Sequence, residues 1–227
     1  MPGRLASARF LERVPHENRH HRFRNRGADA RRRVSQARPR RRAGYARPRQ
    51  LAEWAQQNPK GKVGSFADAA RFAELAVLAV KGTVAADAVR AAGVAILAGK
   101  LVIDATNPIA EAPPVDGVLK FFTNLDESLL ERLQREFAAV RFVKAFNSVG
   151  AYCMVNPQFK GGKPTMFICG NDAAARKTVT TVLDQFGWET ADMGVAAAAR
   201  AIEPLCMLWC IPGFLQNDWT HAFKLLR

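Results

Sequence analysis

LVIDATNP, residues Leu101–Pro108, is the stretch on which the fold turns. Leu101–Asp104 is an apolar run too short for a helix, and Asn107-Pro108 and the Pro113-Pro114 pair stop it, which predicts a buried strand opening into a polar turn. The same pattern recurs on both sides. Glu74–Val80 (ELAVLAV) runs into Lys81-Gly82-Thr83, and Arg141–Phe146 runs into Asn147-Ser148. Thr165–Cys169 and Trp188–Thr190 read as two further strands. Helical spacing lies between them. Leu51–Gln57 looks helical, Pro59–Gly64 reads as a loop, and Ser65 or Asp68 caps a short helix through Phe72. Val84, Ala88 and Ala91 give Thr83–Ala92 helical spacing, and Asp126 opens a helix with Leu129, Leu130, Leu133 and Phe137 on one face. Asp172 caps a helix bearing Val179, Val182, Leu183 and Phe186, which Gly187 ends. Strands alternating with such helices predict βαβ units and a doubly wound, mostly parallel α/β sheet of Rossmann-like type.

An open parallel sheet binds ligands at the carboxyl ends of its strands. Three turns fall at that edge: Val80-Lys81-Gly82-Thr83, Asp104-Ala105-Thr106-Asn107-Pro108 and Lys144-Ala145-Phe146-Asn147-Ser148. Their small or hydroxylated residues and exposed amides suit a flat nicotinamide ring and a ribose. Taken singly, Gly82 or Asn107-Pro108 is better explained as a turn former. Three such turns at one edge are harder to dismiss.

Charge is unevenly placed. The chain of 227 residues carries a net +14, but residues 1–50 hold 16 arginines, no lysine and three acids, a net +13. The remaining 177 residues hold 18 bases and 17 acids, so basicity concerns the first segment alone. Runs such as Arg31-Arg32-Arg33 and Arg40-Arg41-Arg42, with Pro39 and Pro48 among them, predict disorder for residues 1–50 and place the globular domain at 51–227, with a helical C-terminal part. One reading of the segment is an electrostatic arm for nucleic acid, for which Phe10, Phe23 and Tyr45 offer little base stacking. Another is a coding sequence read in the wrong frame, since arginine without lysine is what GC-rich codons yield out of frame. In the adjacent frame Arg22, Arg24 and Gly27 can each supply a glycine, at the i, i+2, i+5 spacing of a dinucleotide-binding turn, and Arg40–Arg49 can supply a second strand with a basic turn. The frame reading is preferred, and nucleic acid ranks last among the partners.

Cys153, Cys169, Cys206 and Cys210 show no CxxC pair and no nearby histidine to complete a zinc site, so no metal is expected and a reducing, cytoplasmic compartment is. No uninterrupted apolar core marks a secretory signal in Met1–Pro15. The longest apolar stretch, Pro204–Leu215, spans 12 residues, short of the roughly 20 that cross a bilayer. No membrane partner is expected.

With these turns in hand, the chain resembles the NADP oxidoreductases typified by the coenzyme F-420-dependent NADP reductase, whose nucleotide domain is shared with pyrroline-5-carboxylate reductase. The resemblance runs from about Leu51 to Arg227, through LAVKGT (Leu78–Thr83), VIDATNP (Val102–Pro108), RFVKAFNSVG (Arg141–Gly150), CGND (Cys169–Asp172) and AIEPL (Ala201–Leu205). In that family the turns after the third, fourth and fifth strands line the nicotinamide. The resemblance therefore implicates Val80, Lys81, Gly82, Thr106, Asn107, Pro108, Ala145, Phe146 and Asn147 in binding NADP. It also implies hydride transfer to or from a second, small-molecule redox partner such as the deazaflavin F-420. The family's first strand, glycine-rich turn and 2′-phosphate-binding residues belong before Leu51, where the sequence shows none of them. That departure implies weak NADP binding, and a central strand missing from a 3-2-1-4-5-6 sheet would leave two ladder edges bare.

No Ser/His/Asp or Cys/His set suggests another chemistry. Asp104 and Glu203 are the carboxylates most easily placed, and for each a turn or capping role is the better reading. The apolar segment Glu203–Trp219 reads first as a packed helix, and second as a wall of the second-substrate pocket with a homodimer contact. A nucleotide-binding protein without turnover on the same fold is the remaining alternative.

Overall fold

Residues 5–9, 41–44, 55–56 and 61–226 are described by the computed structural model. Six parallel strands, β1 (Leu5–Arg9), β2 (Arg41–Gly44), β3 (Gly61–Gly64), β4 (Leu75–Ala79), β5 (Leu101–Asp104) and β6 (Arg141–Lys144), form one sheet in the order β3-β2-β1-β4-β5-β6. A parallel pair, β7 (Thr165–Ile168) and β8 (Glu189–Asp192), lies beyond β6, where the Lys144 N–H donates to the Cys169 carbonyl at 2.9 Å. The helices are α1 (Phe66–Phe72), α2 (Ala85–Ala92), α3 (Val94–Leu97), α4 (Leu129–Glu136), α5 (Ala173–Gln185), α6 (Ala199–Ile202) and α7 (Pro204–Gln216).

Strand residues alternate between two cores. Ala76, Leu78, Val102 and Phe142 face one core with α1, α2, α3, α4 and α6, while Leu75, Ile103, Val143 and Ala145 face the other with α5. Period-two alternation with apolar residues on both faces is what a sheet covered on both sides requires. It also decides where Asp104 and Lys144 point. Each stands two residues beyond an inward neighbour of the first core, Val102 and Phe142, and the two are register partners on β5 and β6.

Local signals set the helix starts. Ser65 and Asp68 form a reciprocal capping box on α1, and Asp172 accepts from the Ala175 N–H at 2.7 Å to start α5. Helix α4 starts later than its sequence suggests. Ser128, not Asp126, is its cap, because Asn124 Oδ1 takes the Asp126 and Glu127 N–H groups into a turn at 2.9 and 3.1 Å. The run expected at Thr83–Ala92 opens with a 3-10 turn over Gly82–Val84 before α2, and the last strand is Glu189–Asp192.

Three expectations change. The first strand is not missing from the sheet: Leu5–Arg9 occupies the central position, pairing with β2 on one side and β4 on the other. Ladder bonds are made by backbone groups, so a short stretch that carries no apolar-run signal closes the gap and leaves no bare edge beside β4. Both Leu5–Arg9 and Arg41–Gly44 lie ahead of the boundary expected at residue 51. Gly61–Gly64, expected as loop, is the edge strand, its polar and glycine content fitting a position with one neighbour. The apolar C-terminal stretch is longer than 12 residues. Ala196–Gln216 forms a near-continuous helical run of 21 residues, long and apolar enough by length and composition to cross a membrane. Its alanines had hidden its start, and its inward residues Ala199, Ile202, Glu203 and Cys206 are buried against the sheet side. The segment after β1, where the family's glycine-rich turn would fall, and most of the helix expected at Leu51–Gln57 lie outside the described residues.

Helix α4 carries a second capping box: the Glu131 N–H donates to Ser128 Oγ at 3.1 Å and the Ser128 N–H to Glu131 Oε2 at 2.9 Å. Arg200 Nη2 meets Glu131 Oε1 at 2.7 Å. Hydrogen bonding from Arg200, opposed by burial and aided by Ser128, holds the Glu131 carboxyl down from its ordinary 4.5 to about 2. A depressed carboxyl stabilises the fold above its unfolded value and loses that contribution as pH falls toward its folded one. Acid melting curves of the wild type should lose stability between pH 4.5 and about 2, and Glu131→Gln should flatten that limb.

Candidate functional site at the carboxyl edge of the sheet

Gly82 begins the site. It follows β4, and a Cβ placed on it would stand 2.0 Å from the Asn107 carbonyl oxygen, so the first two turns touch at backbone level only because residue 82 has no side chain. Asn107 then reaches the third turn: its Nδ2 donates to the Asn147 carbonyl at 2.8 Å, and Asn147 Nδ2 donates back to Asn107 Oδ1 at 3.2 Å. Asn147 Nδ2 also donates to the Ile202 carbonyl at 3.0 Å, which fixes the helical run against the turns. Asn147 Oδ1 is buried without a hydrogen-bond partner among the described residues. A buried amide oxygen left open is a costly feature away from a ligand.

The sequence-derived residues divide by what they present. Gly82, Thr106, Asn107, Pro108 and Asn147 are brought together at the ends of β4, β5 and β6. Thr106 is buried and its Oγ1 is committed to Asp104 Oδ1 at 2.7 Å, so its contribution is the shape of the turn. Pro108 accepts from the Phe122 N–H at 2.8 Å and ties the following loop down. Val80 and Ala145 are buried strand-end residues. Lys81 leans outward, its Nζ 3.9 Å from Glu111 Oε1. Phe146 has a left-handed backbone, φ +64°, and its ring packs 6.2 Å from Phe186 and 6.4 Å from Trp188, so its side chain belongs to the second core. A bulky residue held in that region is a strained conformation of the kind that clusters at functional sites.

Beneath these turns lies a feature that residue-by-residue reading missed. Lys144 Nζ stands 2.6 Å from Asp104 Oδ2 and 2.8 Å from Glu203 Oε1, and donates to the Thr106 carbonyl at 2.9 Å; Lys144 and Asp104 are fully buried and Glu203 is 2% exposed. Asp104 Oδ1 accepts from the Thr106 N–H at 2.9 Å. Glu203 accepts from the Leu129 and Leu130 N–H groups at 2.9 and 3.0 Å, capping α4 from another helix. Burial alone would lower the Lys144 ammonium, but attraction to Asp104 and then Glu203 outweighs it, so Lys144 titrates above the ordinary lysine range and stays charged. The turn and capping roles read for Asp104 and Glu203 hold, and the lysine joins them. The available signal was a lone lysine at the end of the buried strand RFVK.

Cys169, beside this network, is pushed up to about 12, chiefly by burial, and is an inert thiol. Among the described residues no group of three or more His, Cys, Asp or Glu side chains is arranged to hold a metal. A cavity of about 660 Å³ opens at the other end of the sheet, where Thr165 and Glu189 begin β7 and β8, away from the three turns.

A doubly wound parallel sheet whose turns after β4, β5 and β6 are joined at its carboxyl edge by a glycine contact and paired asparagines is a fold of Rossmann type. Comparison with known proteins gives the same class. Residues 37–108 match the family described as NADP oxidoreductase, coenzyme F420-dependent. That span starts ahead of Leu51 and takes in β2 through β5 and the first two turns. A crystal structure from Arthrobacter sp. FB24, titled as a candidate F420-dependent NADP-reductase, superposes over 100% of both chains with a TM-score of 0.83 and 28% identity. Over 124 residues, 52% of this chain, the sequence is 33% identical to rat (Rattus norvegicus) metalloreductase STEAP3, and it spans 23% of that protein. An imine reductase from Myxococcus stipitatus, solved with NAD+, shares the fold at a TM-score of 0.63 and 14% identity, over 96% of this chain and 63% of that one. Over residues 37–108 the chain thus resembles the coenzyme F420-dependent NADP oxidoreductases, and the proteins it is similar to are oxidoreductases. Because Gly61–Gly64 is a strand, the three turns follow the fourth, fifth and sixth strands of this chain.

Two substitutions probe the architecture. Lys144→Met strands two buried carboxylates without a counter-charge and should cost about 3–5 kcal/mol in urea unfolding. Gly82→Ala forces the turns after β4 and β5 apart and should cost about 1–3 kcal/mol in the same measurement.

Proposed function

We propose that this chain is an NADP(H)-dependent oxidoreductase that exchanges hydride with a small redox co-substrate of the deazaflavin F-420 class. The observation that carries the reading is the reciprocal amide pair Asn107–Asn147, which joins two turns that Gly82 joins to a third. The joined turns carry small residues and backbone amides, and the buried Asn147 Oδ1 has no hydrogen-bond partner among the described residues. A carboxamide N–H of the nicotinamide matches that acceptor. Val80, Lys81, Gly82, Thr106, Asn107, Pro108, Ala145, Phe146 and Asn147 would hold this half of NADP.

The nicotinamide supplies or accepts the hydride when bound. The chain's part is to seat the ring on a surface that does not move, keep water from one face of it and leave the other for the co-substrate. Transfer of a hydride between two stacked rings needs no general acid or base from the protein, in keeping with the commitment of Asp104 and Glu203 to Lys144, Thr106 and helix α4.

The phosphate end differs. No glycine stands between Gly3 and Gly27, so the chain lacks the glycine-rich turn on which a pyrophosphate rests after β1, and its affinity for NADP should be weak for the family. This same absence favours, as the second reading, a nucleotide-binding protein that does not turn over. The reduced thiols Cys153, Cys169, Cys206 and Cys210 support a cytoplasmic location, and the exposed Leu208, Phe214 and Leu215 of α7 support self-association as a homodimer.

Thermal-shift titration of the 227-residue chain with NADPH, followed by NADPH oxidation assays with deazaflavin and other acceptors, tests the reading. Saturable stabilisation with hydride transfer is expected, and Asn147→Ala should raise the NADPH Kd roughly tenfold, the worth of one buried hydrogen bond with its partner groups left open. Stabilisation without oxidation of NADPH by any acceptor leaves the binding protein, and no stabilisation at all rejects both.

A further inference from the structure

Lys144, Asp104 and Glu203 bring one positive and two negative charges into a space that is at most 2% exposed, leaving one negative charge in excess. The N-terminus of α4 offsets part of it through the Leu129 and Leu130 N–H groups. The next charges outward, Glu131 and Arg200, are paired with each other. The network is also the underside of the crevice. Asp104 and Lys144 between them hold the N–H, hydroxyl and carbonyl of Thr106, and Asn147 holds the carbonyl of Ile202, the residue before Glu203. Water does not reach it, so its field passes into the crevice with little screening.

A nicotinamide ring carries a positive charge when oxidised and none when reduced. We propose that the excess negative charge of the buried Asp104–Lys144–Glu203 network favours the oxidised ring over the reduced one, so that these residues set the oxidation-state preference of the site. The inference rests on the reading of the crevice as a nicotinamide site and names Asp104 and Glu203 as the residues that tune it. Neither carboxylate touches the ring in this account. They act through space, from beneath the turn, while Lys144 limits the excess to a single charge. A site biased toward the oxidised ring releases hydride from NADPH more readily than it returns it.

The test is the ratio of two dissociation constants, Kd(NADP+) over Kd(NADPH), measured by titration calorimetry on the full chain and on Glu203→Gln and Asp104→Asn. Either substitution removes one negative charge and keeps one of the two oxygen acceptors of the carboxylate. The ratio should rise about tenfold in each, the effect of one unit charge acting across roughly 10 Å of protein at an effective dielectric of about 20. Loss of packing or of the turn's shape weakens both ligands together and leaves the ratio where it was. A folded variant that binds both cofactors at an unchanged ratio overturns the inference while the nicotinamide reading stands. Wild-type protein that binds neither cofactor overturns both. Two variants from different elements keep the test open should one of them fail to fold, which the melting curve of the free protein reports.

Discussion

Lys144 holds a full positive charge where no water reaches it, and the carboxylates that meet it come from β5 and from the helical run after β8. A buried ammonium is tolerated only with its donors placed and its charge met, because the cost of desolvation otherwise exceeds what a domain has to spare. All three positions are filled here: Asp104, Glu203 and the Thr106 carbonyl. Each partner is fixed in turn by another element, Asp104 by the Thr106 turn and Glu203 by the first N–H groups of α4. Strand, turn, helix cap and C-terminal run are thereby joined by one cation, and displacing any of them leaves a charge bare.

This arrangement explains why the three turns are held in one arrangement. Surface turns do not hold themselves in one place. Gly82 lets the turn after β4 lie directly on Asn107, Asn147 bridges from the third turn to the helical run, and the ion network supports both from below. The left-handed backbone at Phe146 fits the same picture, since its ring is anchored between Phe186 and Trp188 and can hold the strained turn in place. Rigidity at such a surface matters because hydride transfer is governed by the distance and alignment of two rings.

Much of this was legible in the sequence. Leu101–Asp104 came out as a strand with the bounds expected of it, α1 and α5 began at Ser65 and Asp172 as their capping residues require, and the three turns were placed at one edge of a parallel sheet. Those readings rest on groups within a few residues of one another: an apolar run, a proline after an asparagine, a serine three residues before an acid. Where the near neighbours pointed elsewhere, the reading missed. Asn124 drew Asp126 into a turn and moved the start of α4 to Ser128, and glycine concealed the edge strand at Gly61–Gly64.

What the chain's order alone determined is the alternation of strands and helices, and with it a doubly wound fold whose turns share an edge. Tertiary structure decided the rest. That Leu5–Arg9 fills the centre of the sheet follows from two open ladders needing a partner, a demand of the assembled sheet and not of five residues. That Asp104 and Lys144 face each other follows from the register of β5 on β6, and that Glu203 completes them follows from where the helical run after β8 comes to lie. Charges separated along the chain acquire their meaning only when folding excludes the water between them, and no local pattern of residues records that event.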